Sequence, residues 1–133
     1  MVSSIVAEAN IDQDLLRFIQ AYLPSVEHLE ILLLLSSSGE HWWTIRAVND
    51  LLRSSEDSVR ARLRELAAHN LIEKSPLEEC YRLLEHPRLQ DLVARLKDAY
   101  KERRVRVIEL IYSPKSKEIT EFSRAFDFRK GGK

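Results

Sequence analysis

Little in this chain of 133 residues breaks or staples a backbone, for it holds only 3 glycines, 4 prolines and 1 cysteine. With so few glycines there is no Gly-rich phosphate loop, and no nucleophile elbow occurs either. Cys80 stands alone, which excludes an internal disulfide. The four histidines, His28, His41, His69 and His86, lie far apart, and none forms a ligand-spaced pair with another or with Cys80. No metal, no cofactor and no enzymatic activity are therefore expected. Long apolar runs are missing too: the greasiest stretch, "LEILLLL" at 29–35, is far below the roughly 18 residues a membrane span needs and reads as a core helix. The N-terminus lacks a charged start followed by an apolar run and a small-residue cleavage site. A cytoplasmic protein with no membrane partner is the expectation.

An excess of one charge is absent overall, since 21 basic side chains balance 21 acidic ones. The charges are nevertheless sorted along the chain. Residues 1–40 are net −5, residues 41–80 net −1 and residues 81–133 net +6. Such a gradient points to an acidic or nucleic-acid partner for the back half, or to attraction between the two ends of the chain.

What the sequence does contain is helical periodicity. With 44% hydrophobic and 32% charged residues it has the composition of an ordered globular chain, long enough to bury roughly two thirds of its unfolded surface. Residues 1–10 show no clear period. From Asp12, Leu15, Leu16, Ile19 and Leu23 recur at helical spacing until Pro24. Ser25 reads as the cap of a second helix that Gly39 closes, with Glu27 and Glu30 near its positive end. "HWWT" at 41–44 has strand character, and its Trp42 and Trp43 read as core or hairpin anchors. Thr44 caps a third helix with Ile45, Val48, Leu51 and Leu52 on one face.

"RSSED" is a turn, and Ser54 with Asp57 resembles a capping box for a fourth helix running to about His69, where Asn70 suits a left-handed cap. "LIEK" and "CYRLLE" flank a turn containing Pro76 and predict a hairpin. Pro87 opens a single long helix of about 26 residues and roughly 39 Å, carrying Leu89, Leu92, Leu96, Tyr100, Ile108 and Ile111. "SKEITEFSRAFDF" reads as a short amphipathic terminal helix through Ile119, Phe122 and Phe126.

This order, and above all "TIRAVNDLLRSSEDSVRARLRELAAHNLIEKS", resembles the winged helix-turn-helix domains of MarR-like and related bacterial regulators. The resemblance covers about residues 25–84. It implies a mainly α fold with a small β-hairpin wing, flanked by an N-terminal extension helix (1–24) and by a C-terminal region (85–133) used for dimerisation. It also implies a recognition helix at about 56–69 with Val59, Leu63 and Leu66 inward, and Asn70 stands where the family usually has Gly.

A helical wheel agrees. With those three residues inward, Asp57, Ser58, Ala61, Arg64, Glu65 and Ala68 face out, flanked by Arg60 and Arg62. Arg60 or Arg64 suits guanine O6 and N7, and Ser58 suits a phosphate or a base edge. Arg46 and Arg53 suit the phosphate backbone. Exposed helix arginines also serve simply as solvated groups, and Arg60 with Arg64 is a like-charged pair that a nearby acid would relieve. Glu78 and Glu79 stand at the hairpin tip, where wings that bind DNA backbone carry Arg or Lys.

The leading expectation is a homodimer that inserts residues 56–69 into the major groove of double-stranded DNA to regulate transcription. Leu89, Leu92, Leu96, Tyr100, Ile108 and Ile111 would form its dimer seam. The alternative is a protein-binding module of the same shape, using the acidic hairpin or the basic run "KDAYKERRVR" to engage a transcription component or another regulator.

Overall fold

A computed structural model describes residues 11–114; the amphipathic segment expected at residues 116–128 lies outside them. The described chain is mainly helical, with one small antiparallel sheet. In chain order it forms α1 (Gln13–Tyr22), α2 (Val26–Ser36), β1 (Trp43–Thr44), α3 (Ile45–Leu52) and α4 (Glu56–Ala68). β2 (Ile72–Lys74), β3 (Cys80–Leu83), α5 (Pro87–Glu102) and α6 (Arg104–Tyr112) follow.

Side-chain caps set the helix starts. Asp12 accepts the Leu15 amide at 2.9 Å, Ser25 that of His28 at 3.2 Å and Thr44 that of Ala47 at 3.0 Å, each replacing a hydrogen bond that the first turn cannot make within the helix. For α4 the cap is Ser55, whose hydroxyl accepts the Ser58 amide at 3.1 Å, and not the expected Ser54. Ser54 is displaced because Arg53 turns left-handed at φ 61° and the Ser54 amide bonds the Asn49 side chain. At the far end of α4, Asn70 adopts φ 61°, its amide bonds the Ala67 carbonyl and the Leu71 amide bonds that of Leu66. That is a Schellman motif, with Leu66 and Leu71 both buried beside it.

The hairpin and the short strand before α3 appear where the sequence places them. β3 is the central strand, in the order β1-β3-β2, with Trp43 opposite Tyr81 and Ile72 opposite Leu83. α2 is the central helix. It packs on α4, α5 and β3, and Leu29, Ile31, Leu32 and Leu35 are fully buried. α1 belongs to the same core, with Leu15, Phe18 and Ile19 buried against α5 and α6. Among the described residues no single helix is long and apolar enough to cross a membrane.

The expected single long helix is instead two. Arg103 leaves the helical region at φ −133°, ψ 52°, and α6 begins with no side-chain cap. The interruption lets α6 lay Val107, Leu110 and Ile111 on α1 and α5, burial that a straight continuation would leave in solvent. A second correction follows. Leu89, Leu92, Leu96, Tyr100 and Ile111 are all buried within the chain's own core and Ile108 is half-buried. The apolar stripe assigned to a partner helix is filled by α1 and α2, and no surplus of it remains to argue for a dimer seam.

The sorted charges meet inside the molecule as well. Arg95 of α5 bonds Asp12 at 2.6 Å, and Tyr100 donates to Glu30 at 3.1 Å. Arg104 approaches the same Glu30 at 3.8 Å while lying over the Tyr100 ring.

Candidate interaction surface around helix α4

The wheel orientation of α4 holds: Val59, Leu63 and Leu66 are fully buried, and Arg60, Arg62 and Arg64 lie on the outer faces. Each of these arginines is closed against a carboxylate of its own chain. Arg64 meets Glu79 of the hairpin in a two-pronged contact, Nε to Oε2 at 2.9 Å and Nη2 to Oε1 at 3.3 Å. Arg60 approaches the same Glu79 at 3.6 Å and Asp57 at 3.3 Å. Arg62 points to the other flank, where it donates to Glu27 of α2 at 3.3 Å and to Glu65 at 3.2 Å. Ser58 is tied as well, its hydroxyl donating to Glu27 at 2.5 Å.

Electrostatics follow from these contacts. The Arg64 bond, joined by a 2.8 Å bond from the Tyr81 hydroxyl, holds the Glu79 carboxyl below its ordinary range. Tyr81 is correspondingly pushed up to about 12, by burial first, then by its hydrogen bond to Glu79 and the Glu79 charge. For Glu27, burial raises the pKa, but hydrogen bonds from Ser54 and Ser58 and the Arg62 guanidinium outweigh it and the net shift is downward.

Behind Arg62 lies His28, the one buried polar side chain among the described residues at 3% exposure. Its Nε2 lies 2.5 Å from Glu65 and its Nδ1 2.6 Å from the Ser25 hydroxyl. Burial lowers the His28 pKa more than Glu65 raises it, so the ring is neutral at pH 7. Nε2–H then donates to Glu65 while Nδ1 accepts from Ser25. The His28 bond in turn is the main cause of a lowered Glu65 pKa. This relay ties the start of α2 to the middle of α4.

Of the sites read from sequence, the structure gathers Arg60 and Arg64 around Glu79 and sends Arg62 and Ser58 to Glu27. Arg46 and Arg53 are exposed and have no carboxylate partner among the described residues. Glu27, Glu65, Glu79 and His28 were not seen as partners of these groups. Helix spacing exposes only the Arg60–Asp57 and Arg62–Glu65 contacts three residues apart. The Glu79 contacts of Arg64 and Arg60 span 15 and 19 residues and the Glu27 contacts of Ser58 and Arg62 span 31 and 35, and for those the one signal was the unrelieved Arg60–Arg64 pair.

Trp42 supports the hairpin from behind, with the Arg82 guanidinium 4.3 Å above its ring while Arg82 bonds Glu73 at 2.9 Å. Among the described residues no group of three or more His, Cys, Asp or Glu side chains converges as metal ligands would. No protein-family model, no curated protein and no solved structure matches this chain.

Proposed function

We propose that this chain is a winged-helix module that docks protein. The element order from α2 to β3 and the sheet order β1-β3-β2 support the winged-helix reading, with β2–β3 as the wing and α4 in the recognition position. The observation that carries the functional reading is the closure of Arg60, Arg62 and Arg64 on Glu79, Glu27, Glu65 and Asp57. A duplex is held mainly by cations that neutralise phosphates, and these cations are already neutralised. From Ile45 to Leu83 the chain carries seven basic and seven acidic side chains, so that segment has no net charge to draw a polyanion. Exposed apolar side chains stand there instead, Leu51 on α3 and Leu77 at the hairpin tip.

DNA binding is the second reading, favoured by Arg46 in the first turn of α3 and Arg53 just before α4, neither with a carboxylate partner among the described residues. Two such phosphate contacts give a salt slope of only about −2. Titrating a fluorescent random-sequence duplex with the protein at low salt separates the readings. The docking reading expects no saturable binding. Binding that is lost in the Arg60→Ala, Arg64→Ala double variant would overturn it.

A further inference from the structure

Two exposed features of the chain complement each other. At the hairpin tip Leu77 is 92% exposed and is followed by the exposed Glu78. The tip is internally bonded: the Leu77 amide donates to the Ser75 hydroxyl at 3.3 Å, and the Cys80 amide to the Glu78 carbonyl at 2.9 Å. A second 2.9 Å bond runs from the Ser75 amide to the Cys80 carbonyl. The apolar side chain is therefore held out on an ordered turn, where a surface leucine left in water gains nothing.

The second feature is the elbow between α5 and α6. Val105 is 70% and Tyr112 60% exposed, seven residues apart and so on one face of α6. The exposed charges of residues 101–109 are mainly basic, Lys101, Arg103, Arg104 and Arg106 against Glu102 and Glu109, with Glu109 on the same face as Val105 and Tyr112. Lys101 and Arg103 have no carboxylate partner among the described residues, and Arg106 pairs only with Glu109 of its own helix.

We propose that the hairpin tip of one copy of this chain docks on the elbow of a second copy. Leu77 meets Val105 and Tyr112, and Glu78 meets Arg103 and Lys101. This rests on the protein-docking reading above and names the partner. A second copy is the favoured occupant because the acidic apolar tip and the basic apolar elbow are complementary in charge. Both lie on every copy, and zero net charge leaves no long-range repulsion between copies. If each tip engages the other copy's elbow, the contact is twofold and isologous. One tip and one helix face bury less than the roughly 800 Å² per partner of a standard interface, so the association is weak and salt-sensitive.

Sedimentation velocity of the full chain, from about 10 μM to about 1 mM at roughly 50 mM salt, tests it. The expected result is an average mass that rises with concentration above the 15.5 kDa monomer. Leu77→Ser weakens the association by ~10-fold or more. Glu78→Lys and Arg103→Glu each abolish it alone, and an equimolar mixture of those two variants restores it by pairing the reversed charges. A mass that stays monomeric throughout, or association that survives both charge reversals, overturns the proposal. A monomer that also fails to bind duplex leaves the docking reading standing with a different partner, whereas saturable duplex binding removes that reading itself.

Discussion

Arg64 and Glu79 face each other fork to fork, joining the exposed side of α4 to the hairpin fifteen residues away with contacts of 2.9 and 3.3 Å. The geometry is the planar bidentate match that guanidinium and carboxylate share. A guanidinium held this way has spent the two donors with which it would read a guanine edge. The same carboxylate lies beside Arg60 and accepts from Tyr81. One glutamate thus occupies the centre of the face from which a recognition helix would act.

Because Arg64 is largely exposed, this pair contributes little to stability. Glu79→Gln is expected to leave the urea unfolding midpoint nearly unchanged. The variant is also expected to lower the Tyr81 phenol from its raised value of about 12, since the hydrogen bond to the Glu79 carboxylate and its charge are, after burial, the causes of that rise. Ultraviolet pH titration of the tyrosines reads this. A marked fall of that midpoint, or an unchanged high-pH tyrosine, would contradict the assignment.

The buried His28 makes stability depend on pH in a defined direction. Its pKa is depressed in the folded state, so the unfolded chain binds the proton more readily. Its contribution is fully present above the unfolded value near 6.5 and is lost as pH falls through the interval below it, by at most about 1.4 kcal/mol per pH unit. Glu65 and Glu79, both lowered, add their own losses only below their ordinary value near 4.5. Denaturant midpoints at pH 7.5 and 5.5 check this. The wild type falls across that window, and His28→Gln removes the dependence there.

The stripe Leu89, Leu92, Leu96 is core rather than seam. Leu96→Ala is expected to destabilise by about 2–5 kcal/mol, as truncation of a fully buried leucine does. Because the lost contacts lie within one chain, this destabilisation is the same at every protein concentration. Thermal melts over a hundredfold dilution check it, and a concentration-dependent difference would restore the seam.

Arg53 holds φ 61° without being glycine, a conformation that strains a side chain. Arg53→Gly is expected to raise stability by about 0.5–1 kcal/mol in urea titrations, even though it removes a surface cation. Destabilisation would mean that the arginine side chain makes a contact worth more than the strain.

Much of this fold was legible locally. The caps at Ser25 and Thr44, the left-handed Asn70, the inward face of α4 and the hairpin all follow from signals within a few residues of one another. Apart from the α4 cap, which is Ser55 rather than Ser54, the misreadings were tertiary. A helical period runs through Arg103 unbroken, because the side-chain pattern does not record that α6 has a place to fold back to on α1. The seam failed for the same reason, since an apolar stripe does not say which helix fills it. At α4 the cations were visible as residues and their acids were visible as residues; only folding puts Glu79 and Glu27 within reach of them.

The most direct measurement compares wild type with Glu79→Gln for duplex affinity by fluorescence anisotropy between 50 and 200 mM salt, roughly the range over which phosphate contacts weaken most visibly. If Glu79 is what closes this face, the wild type shows no saturable binding, and the variant gains weak binding with a log–log slope near −1, one charge for the released Arg64, because Arg60 keeps its 3.3 Å contact with Asp57. Wild-type binding as tight and as salt-steep as that of the variant would contradict the closure and return α4 to the major groove.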